Sequence, residues 1–133
     1  MTKTAKTAIT KGDIEARRAS LIERGTAIRV LLDTADDRRR MRANEVKVLK
    51  AVESRDTGAV RAEVQSTTDP DTVYTVVVDP PVRGRVRTYS CTCPDHDRTG
   101  RVCKHVAAVA HRYLVTRREE FKMLRTMEQM FGL

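Results

Sequence analysis

Residues 91–105 read CTCPDHDRTGRVCKH and hold all three cysteines of a 133-residue chain. Cys91 and Cys93 are two positions apart, so on a strand both side chains project to one side. In a fully extended chain their Cα atoms would be about 6.6 Å apart. A tetrahedral zinc ion with Zn–S near 2.3 Å brings its sulfurs to about 3.8 Å, so the strand has to bend there. Pro94 follows directly and supplies the break, because it removes a ladder donor and fixes φ.

Cys103 and His105 form the second pair. Residues two apart in a helix point about 200° apart, so the two cannot share a metal from inside one helix. Cys103 is therefore expected just ahead of a helix and His105 in its first turn, leading into VAAVAHRYL. The free N–H groups and dipole of a helix start favour thiolates there. Residues 94–102, with Gly100 near their end, read as a loop that returns the chain to the first pair.

Three thiolates and a neutral imidazole fill four tetrahedral positions, which predicts one structural zinc ion held by Cys91, Cys93, Cys103 and His105. His96 stands as an alternative fourth ligand. His111, six residues beyond His105, falls on the opposite side of the helix and reads as a surface residue. An odd number of cysteines with no apolar stretch of signal-peptide length at the amino terminus points to a reducing, intracellular setting rather than to disulfides.

Working outward, the apolar pattern changes period. All four prolines lie between residues 70 and 94, and neither Gly nor Pro interrupts 26–57 or 101–131. Thr10 and Asp13 form a capping pair before a helix whose stripe is Ile14, Leu21, Ile28, Leu31 and Leu32, facing the chain's own core or a coiled-coil partner. Val46, Leu49 and Val52 recur at three-residue spacing and predict a second helix over 41–54. AVRAEVQS alternates and VYTVVV is β-branched throughout, so both read as strands, and RVRTYSC follows as a third after the turn DPPVRG. The first twelve residues read as mobile. The expected fold is α+β: a three-stranded antiparallel meander with a zinc-stapled loop and a long carboxyl-terminal helix, packed with amino-terminal helices. Residues 1–57 form the helical segment and residues 58–133 the zinc-binding module.

The CxC and CxH pairs, set in CTCPD and CKHVAAV, resemble the SWIM-type zinc finger from about Val73 to Ala110. The resemblance implies strands carrying Cys91 and Cys93, a helix carrying His105, and zinc in a structural role. His96 departs from it, since an aromatic or aliphatic residue is expected after CPD. The family is generally regarded as a DNA-binding or protein-binding module, so the resemblance implies a class of function without a target.

The net charge is +8, and its surplus sits in residues 1–50, with 13 basic groups against 7 acidic. Arg38, Arg39, Arg40 and Arg42 cluster between the first two helices, Arg83, Arg85 and Arg87 lie about a hairpin turn, and Arg98 and Arg101 lie in the zinc loop. Such groups neutralise phosphates without reading sequence. With only Tyr89 near them, base stacking is poorly served, and a duplex or structured backbone fits better. The expected partner is nucleic acid, DNA more than RNA, with a cytoplasmic or nucleoid-associated location. The alternative is an adaptor that binds protein through FKMLRTMEQMF, whose stripe of Phe121, Leu124, Met127 and Phe131 has Met123 and Met130 beside it. That stripe is expected instead to cover Ile14, Leu21 and Ile28 of the first helix, so that the first helix packs on the last. No phosphate loop, deaminase signature or nucleophile elbow is present, so no enzyme, small-molecule substrate or membrane association is expected.

Overall fold

The computed structural model describes residues 10–54, 57–79, 81, 82, 85, 86 and 88–131, with the side chains of 81, 82, 85, 86 and 131 left undescribed. Helix α1 (Lys11–Asp33) starts at the expected capping box: Thr10 Oγ1 accepts from the Asp13 amide at 3.1 Å, and Asp13 accepts from the Thr10 amide at 3.0 Å. A second short helix, α2 (Asp37–Arg42), is capped by Asp36 and runs into a 3₁₀ turn, Ala43–Glu45. The residues expected to continue this helix instead form strand β1 (Lys47–Glu53).

β1 pairs antiparallel with β2 (Val60–Gln65), which pairs with β3 (Val73–Val78), and β6 (Tyr89–Cys91) adds to the far side of β3. The sheet thus has four strands in the order β1-β2-β3-β6, not the three expected. Between β3 and β6 the chain makes a small hairpin, β4 (Pro81–Val82) with β5 (Arg85–Val86). The helix expected over 41–54 is replaced from Lys47 on by a strand with a bulge between Val48 and Lys50. Val48 lies opposite Val64 and Ala51 opposite Ala62, so two residues that share a face are three apart, which mimics helical spacing. Leu49 and Val52, whose spacing suggested the helix, are 44% and 54% exposed. The amino-terminal segment to residue 57 therefore contributes a strand as well as helices.

Helix α3 (Pro94–Thr99) occupies most of the stretch expected to be a loop. Helix α4 (Lys104–Phe131) has 28 residues and spans about 40 Å. Its first half covers the sheet: Val106, Ala107, Val109, Ala110 and Tyr113 meet Val60, Ala62, Val64, Val76 and Val78 in one core, with Ile28 and Leu31 of α1. The small side chains of Ala107 and Ala110 let the helix lie close to the strands. Its second half extends beyond the sheet and would expose its stripe without α1. Ile14, Leu21 and Leu124 form a separate buried cluster with Phe121 and Met127 packed against it. Arg17 binds Glu120 at 2.6 Å and Arg18 binds Glu128 at 2.5 Å across the same contact. The stripe of the carboxyl-terminal helix thus covers the amino-terminal one; Phe131 falls among the undescribed side chains.

Glu53 joins the layers. It lies opposite Val60, on the helix side of the sheet, where its carboxylate accepts from Arg24 Nη1 and from Tyr113 Oη, each at 3.0 Å, with Arg117 at 3.4 Å and Arg17 at 3.8 Å. Burial, then the nearby Glu53 charge, pushes the Tyr113 hydroxyl upward and keeps it a donor. Among the described residues no helix is long and apolar enough to cross a membrane.

Candidate metal centre

β6 brings Cys91 in beside Val76 and then leaves the sheet. The departure has a local cause. Thr92 still donates its amide to Thr75 O at 3.2 Å, but the Thr75 amide is satisfied by the Thr92 hydroxyl at 3.0 Å, so the ladder closes on a side chain. Cys93 becomes the N-cap of α3, with Pro94 in the first helical position and the His96 amide donating to Cys93 Sγ at 3.4 Å. Gly100 ends α3 at φ 67°, a left-handed conformation that suits glycine.

Cys103 stands just before α4 and receives the Val106 amide on Sγ at 3.5 Å, while His105 lies in the first turn, as expected. Two helix starts therefore present N–H groups to two of the sulfurs, a favourable environment for thiolates. One ligand atom from each of Cys91, Cys93, Cys103 and His105 lies within 4.8 Å of the others, and all four residues are buried. His105 Nδ1 is 3.9 Å from Cys103 Sγ, and its Nε2 is buried without a hydrogen-bonding partner among the described residues. The protonation of the sulfurs fits a cation. Donation to Cys103, together with burial, pushes the Cys91 thiol far up, and burial raises Cys93. Hydrogen bonding from Cys91, with the Val106 amide also donating to its Sγ, lowers Cys103. Three thiolates held this close repel one another. A divalent ion removes that conflict, because it favours all three thiolates at once.

Residues 74–114 match the SWIM zinc finger family. The match runs from β3 through the first part of α4, a little under a third of the chain, and includes all four ligands. No curated protein and no solved structure matches the chain. Within the matched segment the Cys₃His set holds one structural zinc ion with every tetrahedral position taken by protein. The ion supplies cross-linking: it ties the end of the sheet to the starts of α3 and α4.

His96 is not part of the cluster. Its Nδ1 lies 2.8 Å from Arg101 O, and its ring packs 5.7 Å from that of Tyr89, whose hydroxyl donates to Gly100 O at 3.3 Å. The residue that departs from the family pattern braces the turn after α3 in the place of an apolar one. His111 is exposed, as expected.

The predicted arginines separate into groups. Arg39 is held by Asp95 of α3 and by Asp36, and Arg40 by Asp37 at 2.7 Å and Asp33 at 3.8 Å, so both have carboxylate partners. Arg38, Arg42 and Arg98 border a cleft of about 390 Å³ whose wall includes Cys93, Cys103 and His105. Arg101 is exposed. Arg83 and Arg87 lie outside the described residues, and of Arg85 only the backbone, in β5, is described. Sequence reasoning missed Lys104, which borders the same cleft and donates to Thr67 Oγ1 at 2.7 Å. Its place between Cys103 and His105 was the available signal.

Proposed function

We propose that this protein is a zinc-stabilised nucleic-acid-binding protein, acting on DNA more than RNA, whose contacts are mainly to the phosphate backbone. The observation that carries the reading is the cleft beside the zinc centre, where Arg38 and Arg42 from α2, Arg98 from α3 and Lys104 from α4 converge. No ion-pair partner engages Arg38, Arg42 or Lys104 among the described residues, and Arg98, whose side chain is 78% exposed, reaches Asp95 only at 3.6 Å. Cations left free on one face suit phosphates, and backbone contact of this kind carries no sequence readout. A cytoplasmic or nucleoid-associated location goes with this reading. The adaptor reading loses its main support, because Phe121, Leu124 and Met127 pack against α1. Binding rather than catalysis is favoured by a zinc centre with no open coordination position.

The test is the affinity of the zinc-loaded chain for a nonspecific duplex as salt is raised. Log affinity should fall with log salt at a slope of about −3 to −4, as for about four neutralised phosphates at roughly 0.9 each. No binding at low salt overturns the reading.

A further inference from the structure

The basic groups over the metal centre line a cleft rather than an open face. Its lining comes from α2, from the β2–β3 turn, from α3 and from the start of α4, and the Arg39–Asp95 pair ties α2 to α3. Its volume of about 390 Å³, which takes in the space beside the metal ligands Cys93, Cys103 and His105, lies in the range of small-ligand pockets, about 300–1,000 Å³. A duplex cannot enter a cleft of this size and has to stay at the rim, whereas the end of a strand can enter.

The charge count points the same way. Five cations border the cleft: Arg38, Arg39, Arg42, Arg98 and Lys104. Asp95 and Asp36 engage Arg39, and a Cys₃His zinc centre carries one negative charge, so two positive charges remain uncompensated. A phosphodiester inside a strand carries one negative charge, while a terminal phosphomonoester carries about 1.5 to 2 at neutral pH and has three acceptor oxygens. Lys104 retains two of its three ammonium donors after bonding Thr67, and the arginines offer forked donors suited to those oxygens.

We propose that this cleft seats the terminal phosphate of a nucleic-acid strand, held by Arg38 and Arg42 of α2, Arg98 of α3 and Lys104 of α4. The proposal rests on the nucleic-acid reading and narrows it to strand ends.

The experiment measures binding of the full zinc-loaded chain to oligonucleotides of one sequence bearing 5′-phosphate, 3′-phosphate or only hydroxyl ends, with a nucleoside monophosphate as a separate ligand. A phosphorylated end should bind at least about tenfold more tightly than a hydroxyl end. In the Arg42→Gln/Arg98→Gln variant, with zinc content unchanged, that ratio should fall toward one, because both residues are exposed and bear on the ligand more than on the fold. Equal affinity for phosphate and hydroxyl ends overturns the proposal and leaves the nucleic-acid reading standing, and so does a ratio that the variant does not change. A nucleoside monophosphate that binds as tightly as the phosphorylated strand overturns it in favour of a free nucleotide. Binding of no oligonucleotide overturns both.

Discussion

Arg39 on α2 and Asp95 on α3, 56 positions apart, meet through two hydrogen bonds: Nε to Oδ2 at 2.8 Å and Nη2 to Oδ1 at 2.7 Å. The pair ties the amino-terminal segment to the turn between Cys93 and the rest of the zinc knuckle. Arg39 holds the Asp95 carboxyl below its ordinary range, against the opposing effect of burial. Both side chains are partly exposed, at 22% and 32%, so solvent screens the interaction and about 1 kcal/mol is its appropriate scale. Asp95→Ala should lower stability by about that amount and speed zinc release to a colorimetric chelator several-fold. Unchanged release kinetics would show that the pair does not brace the knuckle.

Zinc should be present at about one ion per chain in protein purified without added metal, and Cys103→Ser should remove it. Because the ion joins the sheet end to two helix starts, its removal by a chelator should also lower the melting temperature and the strand signal in circular dichroism. A metal content near zero in the wild type would sink the assignment.

Leu124 is 8% exposed and lies in the small cluster with Ile14 and Leu21, away from the main core. Leu124→Ala should cost about 2–4 kcal/mol in denaturant unfolding, as for other buried leucines. Deletion of residues 1–32 should destabilise the remainder, and a truncated chain of undiminished stability would contradict the α1–α4 contact as a source of stability.

Glu120 receives Arg17 Nε at 2.6 Å and Arg117 Nη1 at 2.8 Å, and hydrogen bonding from Arg17 is the main reason its carboxyl lies below the ordinary value of 4.5. A lowered folded-state pKa contributes stability that is present above that ordinary value and is lost as pH falls through the folded one. The stability difference between wild type and Glu120→Gln should therefore be constant near neutral pH and shrink below about pH 4.5. Taking the difference cancels the acid loss of zinc, which affects both proteins. A pH-independent difference would argue against the pairing.

Gly58 has φ 78°, and a Cβ there would lie 2.9 Å from the Arg24 guanidinium carbon. Gly58→Ala has to strain the backbone and also push Arg24 away from Glu53. Together these should cost about 1–3 kcal/mol by thermal or denaturant unfolding. An unaffected melting temperature would mean that the turn relaxes freely.

What was legible in the sequence was carried by neighbours along the chain. The capping box at Thr10, the alternation of β2, the start of α4 after Cys103 and each of the two zinc-ligand pairs depend on residues within a few positions of one another. The α1–α4 contact was legible for a related reason, since a helix of 28 residues outruns the sheet and its stripe needed a partner. Strand β1 was not legible, because the bulge turned its alternation into a three-residue spacing that a helix also produces. Helix α3 was missed because six residues rich in Asp and His carry no apolar period.

The sequence by itself determined the ligand set and the strand-then-helix frame around it, because metal coordination depends on residue type and short spacing. Only the tertiary structure decided which arginines remain available. Arg39 and Arg40 look equivalent to Arg38 and Arg42 along the chain, yet the first two carry carboxylate partners and the others border the cleft. Packing likewise gathered Glu53 of β1 with Arg17 and Arg24 of α1 and Tyr113 and Arg117 of α4. Interaction between charges falls with distance in space rather than separation in sequence, so no local pattern could assign these partners before the helices were placed against the sheet.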